Sequence, residues 1–289
     1  MAKSKTILML LTVICLAACE KAEIGNESQS GSAAKILFTT FTSTMSEYST
    51  RASLADAKCT KLDFAMFDSE GKPYQVILQE NTDADFGTIA LTDVPYGTYS
   101  VVLIGSTGSA HATIASPELA SFGGKVPDTF CKCLTLDVNK STAATQSIEL
   151  NRITSEFMLT STDAQPSGLD SLQVLVTGGS TCFNPTTGLA PNADINVREI
   201  KSGIAGNQGK ALNVAFLTFL PSEKSNLSVV INAKDAAGDV QFSQSIASAP
   251  MQVNCISRYT GKFFAVPSSS SSVTVTVNNK WADTFNYEF

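Results

Sequence analysis

Lys61-Leu62-Asp63-Phe64-Ala65-Met66-Phe67-Asp68 is an alternating stretch, in which the apolar residues Leu62, Phe64 and Met66 alternate with Lys61, Asp63 and Ala65. Successive side chains of a β-strand point to opposite faces of its sheet, so this period of two predicts a strand with one apolar face. The next residues, Ser69-Glu70-Gly71, belong to the types that favour turns. The stretch therefore predicts a strand that ends in a tight turn.

The same alternation recurs further along the chain, over 99–103, 172–176 and 273–277. Further β-type runs are separated by turn-forming segments such as Pro95-Tyr96-Gly97. One short helix is predicted at Pro117–Ser121, with Ser116 as its N-cap. Many short strands and few helices are typical of β-sandwiches, so we predict an all-β fold.

The composition limits the classes of function. The chain has 289 residues, of which 43% are apolar and 16% charged, so it can bury a large core. Its formal net charge of −6 does not favour nucleic acid, which is bound through clustered Lys and Arg. A single His rules out metal sites that need several histidines. We expect neither a metal nor another cofactor, and no small-molecule substrate.

The N-terminus has the pattern of an export signal. Lys3 and Lys5 precede an apolar run from Thr6 to Leu16, which is too short to span a membrane. The run closes with Leu16-Ala17-Ala18-Cys19, which resembles the lipobox of bacterial lipoproteins. This resemblance implies that residues 1–18 are a signal peptide and that Cys19 is lipidated, which would tether the protein to the outer membrane. Residues 19–34 are small and polar, which predicts a flexible tether.

A boundary is predicted near Asn151-Arg152, where one strand ends and a new apolar run follows. We therefore expect an N-terminal sandwich over 35–150 and a C-terminal sandwich over 151–289, each of ordinary domain size.

Five cysteines lie beyond the lipobox, and an exported protein permits disulfides. Cys182 and Cys255 could form one bridge, and Cys59 could pair with Cys131 or Cys133. The C-x-C spacing of Cys131 and Cys133 has no second pair to complete a metal site.

The order of several motifs resembles the fimbrillin superfamily of Bacteroidetes fimbriae. The lipobox and tether are followed by a strand-like segment at 34–42, by Thr50-Arg51-Ala52, and by the strand that leads to Gly71. Val94-Pro95-Tyr96-Gly97-Thr98-Tyr99 then resembles a turn and strand of that superfamily's first domain. Ile148-Glu149-Leu150-Asn151-Arg152 resembles the junction to its second domain.

This resemblance implies two tandem transthyretin-like β-sandwich domains and a fimbrial subunit or membrane anchor without catalytic activity. It implies assembly with other fimbrial subunits by strand exchange, after a protease cuts between Arg51 and Ala52. Residues 35–45 would then be the exchanged strand. Leu37, Phe41 and Met45 would be its plugs, whose pockets a neighbouring subunit refills.

Three other interpretations remain open. Residues 35–45 could be a permanent strand, with Arg51 a solvated loop residue. The protein could instead be a surface glycan-binding lipoprotein that uses the aromatic run at Trp281, Phe285, Tyr287 and Phe289. A hydrolase would need His111, which lies in a segment expected to be an exposed loop.

Overall fold

The computed structural model describes residues 33–44, 50–53, 58–191, 198–265 and 283–288. The described part of the chain is all-β and contains no helix, which confirms the predicted fold class. Its strands up to residue 152 are β1 (Ala33–Thr44), β2 (Thr50–Ser53), β3 (Lys61–Phe67), β4 (Pro73–Glu80), β5 (Thr88–Pro95), β6 (Gly97–Ser106), β7 (Thr113–Ser116), β8 (Leu119–Ser121), β9 (Thr129–Val138) and β10 (Thr145–Arg152). The later strands are β11 (Ser155–Ala164), β12 (Leu169–Thr177), β13 (Cys182–Phe183), β14 (Arg198–Gly203), β15 (Ala211–Thr218), β16 (Lys224–Asp235), β17 (Val240–Gln252), β18 (Cys255–Gly261) and β19 (Asp283–Glu288).

A first sandwich is built from the strands up to β10. One layer has the order β4-β3-β6-β9, and all of its pairs are antiparallel. The other layer has β1 at its centre, antiparallel to β5 and parallel to β10. Strand β10 passes from one layer to the other, because its last two residues pair with β9.

The core of the first sandwich follows the alternation of the sequence. Leu62, Phe64 and Met66 of β3 are fully buried and face residues of β1, β5, β6, β9 and β10. The opposite face of β3 is buried as well, because Ala65 and Phe67 belong to a second apolar cluster. A strand that is covered on both faces is apolar at nearly every position, which explains the run Phe64–Phe67.

The second apolar cluster lies under a small sheet of order β13-β8-β7. Phe122, Phe183 and Phe219 pack their rings together there, with centroids 4.4–6.5 Å apart. The helix predicted at Pro117–Ser121 is wrong, since this segment is a turn followed by β8. The Ser116 hydroxyl does accept a hydrogen bond from the Glu118 amide at 3.2 Å, but the cap serves the turn that joins β7 to β8.

A second sandwich pairs the layer β14-β12-β16-β17 with the layer β15-β11-β18-β19. Its core contains Phe157, Leu159, Val174, Ile231 and Tyr259, with further residues of the same strands. β11 is antiparallel to β15 and parallel to β18, as β1 is to β5 and β10. β12 pairs with β14 and β16 as β3 pairs with β4 and β6, so the two sandwiches repeat one seven-strand topology.

Arg152 joins the two sandwiches. Its guanidinium donates to both carboxylate oxygens of Asp128 at 2.9–3.2 Å and lies 4.6 Å from the centroid of the Phe130 ring. It also reaches the side-chain oxygen of Asn254, in the turn between β17 and β18, at 3.5 Å. Asn254 has a φ of 56°, and its amide donates to the carbonyl of Thr154 at 2.9 Å. One cation therefore contacts both sandwiches at their junction.

Candidate functional site: the central strand of the first sandwich

Strand β1 is hydrogen-bonded along both of its edges. The Leu37 amide donates to the carbonyl of Ala144, just before β10, at 2.8 Å. The Thr40 amide and hydroxyl both donate to the carbonyl of Gly87, just before β5, at 2.9 Å. Removal of β1 would therefore leave a groove with unpaired main-chain groups on both walls, which is the kind of site that accepts an added strand.

The apolar plugs of β1 are Ile36 and Phe38. Both are buried, and the Phe38 ring lies 5.5 Å from that of Phe64 at the floor of the groove. The prediction that Leu37 and Phe41 fill the pockets is wrong: they are half-buried and point to the opposite face of the strand. The run Ile36-Leu37-Phe38 is apolar in both phases of the alternation, so the pattern did not fix which face is buried. Met45 lies outside the described residues.

The end of β1 carries an unsatisfied polar group. The Thr42 side chain is fully buried, and no residue that the structure describes forms a hydrogen bond with its hydroxyl. A buried hydroxyl without a partner costs about 1–3 kcal/mol. This part of β1 is therefore bound less favourably than the segment around Phe38.

Arg51 lies in a strand and not in the loop that the sequence suggested. The backbone of β2 pairs antiparallel with the end of β1, and Arg51 stands opposite Ser43. Ala52 stands opposite Thr42 in the same hairpin. A protease that cuts between Arg51 and Ala52 must therefore bind a segment that first leaves a short edge strand.

His111 is bound to a buried carboxylate, in contrast to the exposed loop residue that the sequence suggested. Its Nδ1 lies 2.5 Å from Oδ1 of Asp63, whose side chain is completely buried on β3. The other oxygen of Asp63 accepts a hydrogen bond from the Ala112 amide at 2.9 Å. Burial raises the pKa of the Asp63 carboxyl, and the hydrogen bonds from Ala112 and His111 oppose that rise.

The contacts of Asp63 with His111 and Ala112 hold the segment between β6 and β7 against β3 of the first sandwich. His111 Nε2, the atom that would take a proton from a serine nucleophile, lies 3.8 Å from a carboxylate oxygen of Glu80. Glu80 in turn forms an ion pair with Lys61. The ring is thus held between two carboxylates, which favours a positioning role for His111 over a role as base. Nothing in the local sequence marks Asp63 as its partner, because the two residues are 48 positions apart.

The candidate bridge between Cys182 and Cys255 is not formed. Cys182 lies on β13 and pairs with Ser121 of the small sheet, whereas Cys255 begins β18 in the second sandwich. Cys59 is not joined to Cys131 or Cys133 either. Burial raises the pKa of the Cys59 thiol to about 12 and also raises that of Cys131, so these thiols behave as small apolar core residues.

Part of the terminal aromatic run packs into the fold. Tyr287 of β19 stacks on Tyr259 of β18, with ring centroids 4.9 Å apart. Tyr287 is half-buried, and this stacking adds its ring to the packing of the second sandwich. Trp281 and Phe289 lie outside the described residues, as does the predicted lipidation site Cys19.

Candidate metal clusters and membrane-spanning helices are both absent from the described residues. Among the residues that the structure describes, no group of three or more His, Cys, Asp and Glu side chains could hold a metal ion. No helix in the described ranges is long and apolar enough to cross a membrane.

Comparison with known proteins finds solved structures with a similar fold. No family model matches the chain, and no curated protein matches it by sequence. A candidate adhesin from Bacteroides ovatus superposes with a TM-score of 0.52 at 13% identity, over 74% of this chain and 82% of that one. A candidate polysaccharide-binding protein from Bacteroides thetaiotaomicron superposes with a TM-score of 0.51 at 14% identity, over 73% and 79% of the two chains. The fimbrial anchor protein Mfa2 from Porphyromonas gingivalis gives a TM-score of 0.45 at 12% identity, over 74% and 83%.

The predicted resemblance is confirmed at the level of the fold. The fold assignment rests on the two Bacteroides structures, whose TM-scores exceed 0.5. The chain therefore shares the fold of these two Bacteroides structures.

Proposed function

We propose that the protein is a non-catalytic structural component of a fimbria, either a subunit or its membrane anchor, which assembles by exchange of β1. The observation that carries this proposal is the position of β1 at the centre of its layer, with hydrogen bonds to both neighbours and two buried plugs. A strand from another subunit could replace it without rearranging the other layer. Main-chain hydrogen bonds would then supply affinity, and side chains at the positions of Ile36 and Phe38 would set the register.

The fold likeness supports a role at the cell surface. The similar structure from Bacteroides ovatus is described as a candidate adhesin. The lipobox ending in Cys19 supports a lipid tether to the outer membrane, since several acyl chains together hold a protein stably to a bilayer. In this proposal the partners are other fimbrial subunits, and neither a cofactor nor a small-molecule substrate takes part.

Limited trypsin treatment of the full chain tests the exchange. We expect a cut between Arg51 and Ala52, seen by mass spectrometry, and release of the N-terminal fragment while the remaining β-structure persists by circular dichroism. Arg51→Lys should keep this cut and Arg51→Gln should abolish it. A synthetic peptide of residues 33–44 should then bind the cut protein, whereas the same peptide with serine at positions 36 and 38 should not.

Two results would overturn the proposal. The first is unfolding of the whole protein once the fragment leaves. The second is equal binding of the two peptides, which would show that the pockets of Ile36 and Phe38 do not govern recognition. The N-terminus of the protein recovered from cells separates the two roles, because an anchor starts at Cys19 and an exchanging subunit starts at Ala52.

A further inference from the structure

A cavity of about 730 Å³ lies at one open edge of the second sandwich. Strands β14 and β15, which are edge strands of the two layers, form two of its walls. The segment Phe122–Val126, which follows β8, forms the third wall. The cavity is distinct from the groove of β1, which belongs to the first sandwich.

Arg198 enters this cavity from the inner face of β14. It pairs with Val176, a core residue of β12, so its side chain points between the layers. Its Nη2 donates to the carbonyl of Leu217 at 3.1 Å, and its guanidinium carbon lies 5.6 Å from the centroid of the Phe216 ring. Its Nε and Nη1 groups are buried and have no hydrogen-bond partner among the described residues.

The charge of this guanidinium is not neutralised. No carboxylate in the described part of the chain forms an ion pair with Arg198. Glu199, the next residue, points to the other face of β14, where Gln173 donates to it at 2.6 Å and Lys201 lies 3.4 Å away. Burial lowers the pKa of the Arg198 guanidinium, as expected for a cation that has lost water without gaining an anion. Lys125 also lines the cavity and adds positive charge, whereas Glu199 and Lys201, which line its rim, pair with each other.

We propose that this cavity binds a small organic ligand through a carboxylate that pairs with Arg198. A guanidinium matches a carboxylate through two parallel N–H···O bonds, and here two of its donor nitrogens are unused. Within the described ranges, a single hydrogen bond fixes the guanidinium, so its terminal torsions can turn these donors toward the cavity. A free organic acid and an acidic sugar both present this chemistry.

The opposite wall offers a way to block the site. Gly123 and Gly124 have open space where a Cβ would stand, and neither has a positive φ. A large side chain at position 124 therefore fills the mouth of the cavity without straining the backbone, and it leaves Arg198 intact.

Thermal unfolding of the full chain with paired probes tests the proposal. D-glucuronate is compared with neutral D-glucose, and succinate with neutral succinamide, all at one ionic strength. We expect at least one acid to raise the Tm with dose while its neutral partner does not, because a ligand that binds only the folded state stabilises it. The acid that acts identifies the source, an acidic sugar or a free organic acid.

Three variants test whether the rise in Tm depends on Arg198 and on the open cavity. Arg198→Met keeps an unbranched side chain without the charge and should abolish the rise, and Gly124→Trp should abolish it as well. Lys140→Met removes a charge from an exposed turn and should respond like the unsubstituted protein. Without ligand, Arg198→Met should unfold at the same Tm or higher, since it removes an unpaired buried charge. No Tm rise with either acid, an equal rise with the neutral probes, or an unchanged rise in Arg198→Met would each overturn the proposal.

Discussion

At the scale of single residues, buried polar groups fix the local conformation of the chain. Asp63 is the clearest case, because a carboxyl with no exposed surface sits on a strand that is apolar on both faces after Lys61 and Asp63. Its two hydrogen bonds fix the segment that contains His111 and Ala112. A buried group of this kind stabilises one local conformation, at a cost in desolvation that its hydrogen bonds must offset.

The raised pKa of Asp63 predicts a pH dependence of stability. The folded protein holds the Asp63 proton more tightly than the unfolded chain, whose carboxyl titrates near the ordinary value of 3.8. The stability from this group is therefore fully present below pH 3.8 and is lost as the pH rises through the higher folded pKa. Asp63→Asn removes the titration, so its unfolding free energy relative to the unsubstituted protein should increase between pH 3 and pH 7.

Urea unfolding at a series of pH values measures this difference. Asp83→Asn, in an exposed turn, is the matched control and should leave the pH profile of the unsubstituted protein unchanged. A constant difference between Asp63→Asn and the unsubstituted protein across this range would contradict the expectation.

At the scale of elements, the face that β1 turns to the core can be tested by a pair of neighbouring substitutions. Phe38→Ala removes a fully buried ring and should lower the unfolding free energy by about 3–5 kcal/mol. Leu37→Ala shortens a half-buried side chain on the opposite face and should cost about 1 kcal/mol or less. Equilibrium urea unfolding measures both, and a larger loss for Leu37→Ala would show that the faces are reversed.

The strands themselves could be predicted from the sequence where alternation is clean. Strands β3, β6 and β12 lie where Leu62, Tyr99 and Leu172 start alternating runs. The alternation could not choose a face where both phases are apolar, as at Ile36-Leu37-Phe38. It also could not exclude a strand at Arg51, because β2 is four polar or small residues that depend on β1 for their pairing.

Two turns with the same chemistry join strands that are not equivalent in the two sandwiches. Asp68 and Asp235 each accept two amide hydrogen bonds at 2.9–3.0 Å within a turn that contains a left-handed glycine, Gly71 or Gly238. These turns join β3 to β4 and β16 to β17, which are not equivalent pairs in the two sandwiches. What the two sandwiches repeat is their strand topology. This topology is set by pairing between strands far apart in the sequence, which local motifs do not predict.

At the scale of the whole molecule, the two sandwiches are joined by more than a linker. The apolar cluster around Phe183 and Phe219 includes Ala65 and Val102 of the first sandwich and Ile153 of the connection. The small sheet β13-β8-β7 pairs a strand that precedes Arg152 in the chain with one that follows it. A contiguous apolar contact of this kind predicts that the sandwiches hold a fixed relation to each other.

The Arg152–Asp128 pair should therefore couple the unfolding of the two sandwiches. Both side chains are about four-fifths buried, with 19% and 18% exposed, and the contact is bidentate, so it is screened less than a surface pair. Arg152→Met and Asp128→Asn should each lower the unfolding free energy by about 1–3 kcal/mol, and the double variant should lose less than the sum. Lys201→Met breaks an exposed pair, in which the lysine side chain is 75% exposed, and should cost no more than about 0.5 kcal/mol.

Calorimetry should show one transition in the unsubstituted protein that broadens or splits in Arg152→Met, because the cation that contacts both Asp128 and Asn254 is gone. Strict additivity of the two losses, together with an unchanged single transition, would mean that the apolar cluster alone couples the sandwiches and that the ion pair is incidental to their unfolding.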